Sequence, residues 1–187
     1  MIDRRNFLTG LTVAGGSALV AACTPRPSPS YPDQSGLPFE GSGPFPSGVG
    51  SADPTAGSVL LWTRAHPERD RGKGIVLTVE LATTPGFGSS TVWEQPVLAT
   101  AAHDHCVTVD ATGLRPGTTY WYRFSYDGST STVGRTRTAP ERGLDHVRIA
   151  AFSCQRWTQG WFTGHADLAT LALDPSTDVD VVLNLGD

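Results

Sequence analysis

The 187-residue chain has little methionine, little positive charge and no apolar stretch suited to a membrane span. A single Met beside 21 Gly and 14 Pro argues against a helical bundle and favours short strands joined by turns. The net charge of −4 excludes binding of nucleic acid through a basic face, so no nucleic-acid partner is expected. Apolar residues still make up 39% of the chain, which is enough for a core and excludes a wholly disordered protein.

Residues 1–22 have the organisation of an export signal, a segment that is not expected to be part of the folded domain. Arg4 and Arg5 precede a mildly apolar stretch, residues 7–22, that contains four Gly or Ser and is too short and too polar to span a membrane. The run from Asp3 to Leu8 resembles a twin-arginine (Tat) signal, which exports folded proteins, although Asp3 stands where Ser or Thr is usual. The Tat export machinery is therefore an expected partner.

Cys23 follows Leu19-Val20-Ala21-Ala22, and this run resembles the lipobox of a bacterial lipoprotein. In that interpretation Cys23 carries the lipid that holds the protein at the outer face of the membrane in the cell envelope. The alternative is an ordinary signal end with a chance cysteine, and hence a secreted protein. Residues 23–46, rich in Pro, Ser and Gly after the cysteine, are predicted to be a tether.

Residues 47–140 are predicted to form an all-β sandwich, because short β-branched or alternating runs are separated by turns. The segment Gly113–Tyr120 resembles the fibronectin type III pattern, in which a Leu-x-Pro-Gly turn precedes a tyrosine-rich strand. The expected strands include Ile75–Leu81, Cys106–Asp110, Thr118–Tyr126 and Thr130–Thr138, the last two joined at Asp127-Gly128 in a hairpin.

The run His103-Asp104-His105-Cys106 contains metal-ligand types, but the spacing argues against a metal site. In a strand the two histidines would share one face while Asp104 and Cys106 shared the other, so the four could not converge on one ion. A surface strand entry with a small buried Cys106 is the preferred interpretation. A Cys106–Cys154 disulfide is compatible with export, although each cysteine also has a local explanation.

A different pattern begins after Pro140. Near-continuous apolar strands at 146–153 and 178–185 flank a helix at about 160–173, which predicts a β-α-β unit of a parallel sheet whose strands are buried. Ligand sites in such sheets lie at the carboxyl ends of the strands. Cys154 follows the first strand and Asp187 the second, and a thiolate beside a carboxylate could hold a metal such as iron. The alternative is a buried small Cys154 and a loop-capping Asp187, since two candidate ligands do not make a site.

In their order along the chain, seven segments resemble the PhoD-type alkaline phosphatase and phosphodiesterase family over nearly the whole length. The segments are Phe45–Pro54, Val59–Ala65, Gly113–Tyr120, Val133–Pro140, Phe152–Gln155, Gly160–Phe162 and Leu185–Asp187. The resemblance implies a fibronectin type III-like sandwich followed by the first β-α-β unit of an α/β metallophosphatase domain, here within 146–187.

The same resemblance implies two metal ligands. Cys154 corresponds to a thiolate ligand of a ferric ion, and Asp187 to a carboxylate that bridges iron and calcium. The implied reaction is hydrolysis of phosphate mono- or diesters by a metal-activated water. The family's remaining metal ligands and its phosphate contacts follow later in the sequence, so no catalytic residue is assigned. The chain is expected to be an inactive N-terminal fragment of the enzyme.

Two other function classes compete with the phosphatase. One is a lipid-anchored fibronectin type III-like module that binds a carbohydrate or protein partner without catalysis. The other is a cysteine hydrolase that uses Cys154 with His165, for which no orienting third residue or oxyanion arrangement can be identified.

Overall fold

The computed structural model describes residues 43–66, 72, 74–155, 163–173 and 179–186. The predictions made for Arg4, Arg5, Cys23 and Asp187 therefore fall outside the described residues, as does most of the expected tether. No helix within these ranges has both the length and the hydropathy that a membrane span requires.

The described residues form ten strands and one α-helix. Their bounds are β1 Val49–Ala52, β2 Ser58–Arg64, β3 Ile75–Ala82, β4 Thr91–Ala99, β5 Cys106–Thr112, β6 Thr119–Tyr126, β7 Ser129–Thr130, β8 Gly134–Arg137, β9 Ile149–Phe152, α1 Thr163–Leu173 and β10 Val181–Asn184. Strands thus dominate, as the glycine and proline content predicts.

Strands β1 to β8 build two antiparallel sheets around one core. One sheet has the order β1-β2-β5, and the other has the order β4-β3-β6, with β7 and β8 each paired to part of β6. The register aligns apolar residues on the inner faces, for example Leu61 opposite Val109 and Val79 opposite Phe124. The predicted all-β sandwich is confirmed.

Alternation along β5 and β6 places every second side chain in this core. Val107 and Val109 are buried on β5, and Tyr120, Tyr122 and Phe124 are buried on β6. This is the period of two that the sequence predicts for half-buried strands. Phe45, near the end of the segment expected as a tether, is also buried in the core. This residue therefore packs with the sandwich.

The hairpin predicted at Asp127-Gly128 is present, but its second arm is not one strand. Asp127 and Gly128 both have positive φ (47° and 75°), as a tight two-residue turn requires. The segment expected as a strand over Thr130–Thr138 is split into β7 and β8. Between them Ser131 turns inward, and its hydroxyl oxygen accepts a hydrogen bond from the Phe124 backbone N–H at 2.9 Å. A side chain thus replaces a ladder bond at the break.

Tyr122 is buried between the two sheets: the residue is 2% exposed, and its hydroxyl lies near Ser51 of β1. Burial raises the pKa of Tyr122 to about 12, because the phenolate would have to be desolvated. Gly134 lies opposite Tyr122 in the ladder, and any Cβ there would overlap the phenol ring. A glycine is therefore required at this position.

The β-α-β unit differs from its prediction in burial. Strands β9 and β10 pair in parallel, with Val181 opposite Ile149, as expected. They are four residues long each and largely exposed, with Ile149 at 59% and Val182 at 48%. The prediction of two buried strands is wrong for the described residues, because there β9 and β10 pair only with each other. Helix α1 begins at Thr163, and residues 160–162 of the expected helix are not described.

Candidate metal site at the strand ends

The carboxyl ends of β9 and β10 lie side by side. The parallel ladder ends with Asn184 opposite Phe152. Beyond it, the Leu185 N–H donates to the Phe152 carbonyl oxygen at 2.8 Å, and the Cys154 N–H donates to the Gly186 carbonyl oxygen at 3.1 Å. Cys154 is therefore bonded through its backbone to the residue that precedes Asp187 in sequence. Asp187 itself lies outside the described residues.

Cys154 has a strained backbone and an exposed side chain. Its φ of 58° lies in the left-handed region, which costs a non-glycine residue about 1 kcal/mol. Strain of this kind is concentrated at functional sites. The Cys154 Sγ lies 3.3 Å from the Ser153 hydroxyl oxygen. Because the side chain is exposed, the alternative in which Cys154 is a small buried residue is wrong.

The loop before position 187 is shaped by Asn184. The Asn184 side-chain oxygen accepts a hydrogen bond from the Gly186 N–H at 2.9 Å, and Gly186 has a φ of 87°. An asparagine that bonds to the backbone two residues later forms a local turn without help from other elements. The sequence Asn-Leu-Gly carries this signal, since a positive φ favours glycine.

His165 of α1 packs against the end of β9. Its ring contacts the Phe152 ring edge-on, with centroids 4.6 Å apart, and its Nε2 contacts the Gln155 amide nitrogen. The cysteine hydrolase hypothesis, which pairs Cys154 with His165, stays a prediction.

The second cluster considered in the sequence, His103 to Cys106, forms a turn. Residues Ala101–His103 make one turn of 3₁₀ helix, and Asp104 and His105 follow with positive φ. The Asp104 carboxylate accepts two hydrogen bonds from the Arg64 guanidinium, at 2.8 and 3.1 Å. This contact holds the pKa of Asp104 below its usual value. The Asp104 carboxylate is thus paired with an arginine. Cys106 is the first residue of β5 and is half-buried.

The sulfurs of Cys106 and Cys154 are not bonded to each other, so the disulfide considered between them is absent from this structure. Within the described ranges there is also no group of three or more His, Cys, Asp or Glu side chains that could hold a metal ion. Among the described residues, the strand ends therefore supply one candidate ligand, Cys154.

Comparison with known proteins identifies the family. The profile of the family described as PhoD-like phosphatase, N-terminal domain, matches residues 34–140. Alkaline phosphatase D of Bacillus subtilis (strain 168) is 33% identical over 99% of this chain and 31% of its own length. A solved structure described as PhoD is 32% identical, with a TM-score of 0.68 over 79% of this chain and 28% of that one. The chain therefore spans less than a third of the length of these two relatives. The family match and the identity over nearly the whole chain show that it belongs to the PhoD-like phosphatase family.

Proposed function

We propose that this chain is the N-terminal part of an exported phosphatase that hydrolyses phosphate mono- or diesters with a metal-activated water. Family membership supports the reaction class. The observation that carries the site is the hydrogen bond from the Cys154 N–H to the Gly186 carbonyl at 3.1 Å, which brings the proposed thiolate ligand beside the strand end that leads to Asp187.

Cys154 and Asp187 are the residues that hold the metals in this proposal. The donor types fit the group: a thiolate suits ferric iron, and carboxylate oxygens suit calcium. The exposure of Cys154 leaves its sulfur accessible to an ion. When bound, the metals lower the pKa of a water molecule and stabilise charge on the phosphoryl group. The chain contributes the turn at Asn184, whose side-chain oxygen holds the Gly186 N–H and so fixes the approach to position 187.

A chimera tests the proposal. Residues 1–187 of this chain would replace the matching N-terminal part of alkaline phosphatase D of Bacillus subtilis, with p-nitrophenyl phosphate and its diester as substrates. The chimera is expected to hydrolyse at least one of them. Cys154→Ala should lower kcat more than about 100-fold, because a metal ligand is lost. The matched control Cys106→Ala should change kcat less than about twofold, since Cys106 lies on β5 of the sandwich. Equal activity of the two variants would refute the role of Cys154.

Export and anchoring are a separate part of the proposal and depend on residues 1–23. Arg4 and Arg5 direct the folded protein to the Tat machinery, and Cys23 carries the lipid anchor at the outer face of the membrane. Fusion of residues 1–46 to a folded reporter tests both roles. Replacement of Arg4 and Arg5 by lysine should retain the reporter in the cytoplasm, and Cys23→Ala should release it from the membrane fraction. Arg26→Lys, within the tether, is the matched control and should change neither result.

A further inference from the structure

Asp180 joins the starting ends of both parallel strands. Its carboxylate Oδ2 accepts a hydrogen bond from the Arg148 N–H at 2.9 Å, and its own N–H donates to the Arg148 carbonyl oxygen at 3.0 Å. Arg148 directly precedes β9, and Asp180 directly precedes β10. Asp180 thus makes two hydrogen bonds to the Arg148 backbone where the β9–β10 ladder begins. A charged acceptor strengthens such a bond relative to a neutral one.

The other carboxylate oxygen of Asp180 faces the sandwich. The Arg137 guanidinium Nη1 of β8 lies 3.5 Å from Asp180 Oδ1, and the Asp180 side chain is only 20% exposed. A cavity of about 500 Å³, lined by residues such as Asp53, Arg135 and Leu183, separates the start of β10 from the edge strands β1 and β8.

We infer that Asp180 is a positioning residue that fixes the register of β9 against β10 and holds the pair on the sandwich through Arg137. The consequence lies at the opposite end of the ladder, where Asn184 pairs with Phe152 and the Cys154 N–H bonds to Gly186. A slip by one residue would move one strand end about 3.3 Å along the other and reverse its side chains. Metal–ligand distances tolerate only about 0.2 Å. This inference rests on the proposed function, since it takes the strand ends as the metal-binding edge.

Hydrogen exchange in the 187-residue chain, followed by NMR, tests the inference. The readouts are the Cys154 and Leu185 amides, which bond to Gly186 and Phe152 across the far end of the ladder. Asp180→Ala should accelerate exchange at both amides about tenfold, because the clamp at the start is lost. Asp180→Asn keeps an acceptor for the Arg148 N–H and should restore most of the protection.

Two further variants separate the ion pair from the backbone contact. Amide exchange at Cys154 and Leu185 should be equally fast in Arg137→Gln and Asp180→Asn. The variant that carries both substitutions should exchange no faster than either single variant, because each substitution removes the same charge interaction. Asp110→Ala, at an exposed position of β5, is the matched control and should leave both amides unchanged. The Phe124 amide reports on the sandwich and should not respond to any of the four single variants.

Two results would overturn the inference. In the first, the Cys154 and Leu185 amides exchange at the same rate in Asp180→Ala as in Asp110→Ala. In the second, Asp180→Ala accelerates exchange of the Phe124 amide as much as exchange of those two amides. These outcomes are independent of the proposed function. The exchange experiment contains no metal and no substrate, whereas failure of the phosphatase proposal would appear as an inactive chimera.

Discussion

The sandwich and the β9–α1–β10 unit both contain strands rich in apolar residues, yet the two regions differ in how far these residues are buried. Phe124, Leu61 and Leu77 in the sandwich are completely buried, whereas Ile149 and Val182 in the β-α-β unit are about half exposed. The burial of a strand depends on its neighbours in the fold, and the sequence of one strand does not state which neighbours it has. In the sandwich two sheets cover each other, while among the described residues β9 and β10 pair only with each other.

The largest expected effect compares the two regions directly. Phe124→Ala should lower the free energy of unfolding by about 3–5 kcal/mol, since it leaves a cavity at a fully buried site. Ile149→Ala should change it by less than about 0.5 kcal/mol, because that side chain is 59% exposed. Urea unfolding measures both. A cost for Ile149→Ala close to that of Phe124→Ala would show that β9 is buried in solution and that the contrast is wrong.

The next effect concerns pH and the buried Tyr122. Because its pKa is about 12 in the folded chain and 10.0 in the reference state, the unfolded chain loses the proton first as the pH rises. The stability contribution is therefore complete below pH 10 and is lost between pH 10 and about pH 12, by about 3 kcal/mol in total. Urea unfolding across this range should show a steeper decline for the wild type than for Tyr122→Phe. Equal slopes in the two proteins would contradict the prediction.

Gly134 provides a smaller effect at the same core position. Gly134→Ala should destabilise the chain by about 1–3 kcal/mol, because the added methyl group would overlap the ring of the buried Tyr122. Gly143→Ala is the matched control, since a methyl group there would meet no atom within 4 Å and the φ of Gly143 is not positive. Thermal unfolding of both variants measures the difference. A tolerated alanine at position 134 would mean that Tyr122 can leave its place in the core.

The smallest effect on stability is expected at the surface of the sandwich. The burial of a side chain, and not the region to which it belongs, sets the cost of its replacement. Asp104→Asn should leave the unfolding midpoint at neutral pH unchanged within error, because the pair with Arg64 is exposed. The lowered pKa of Asp104 means that its contribution is present above pH 3.8 and is lost as the pH falls through the folded value. NMR titration should show the Asp104 pKa rising toward 3.8 in Arg64→Gln but not in Arg142→Gln. A pKa unmoved by Arg64→Gln would exclude the pair as its cause.

Much of the sandwich could be predicted from sequence because its signals are local. The alternation in β6 and the Asp127-Gly128 turn each depend on residues close together in the chain, and both are present. The prediction of one strand over Thr130–Thr138 is wrong, since the inward turn of Ser131 depends on the Phe124 N–H of another strand. Likewise, apolar composition indicates β9 and β10 but cannot reveal their exposure.

The candidate site was predictable only in outline. The rule that ligands bind at the carboxyl ends of parallel strands placed Cys154 near the end of β10, and the bond to Gly186 confirms that adjacency. Its metal role and that of Asp187 stay predictions. Asp180 gave no sequence signal, because its importance comes from its contacts with Arg148 and Arg137, which are distant in the chain. The positive φ of Cys154 was equally hidden, since cysteine has no preference for that region.

The exposed ladder of β9 and β10 has a practical consequence for anyone who purifies this chain. Strand β4, at the edge of the sandwich, carries Pro96 and Glu94, which discourage the addition of a foreign strand. Strand β10, with the sequence Val-Val-Leu-Asn, has neither proline nor charge along its length. Aggregation of this chain in concentrated solution is therefore expected to begin by strand addition at β10 rather than at β4.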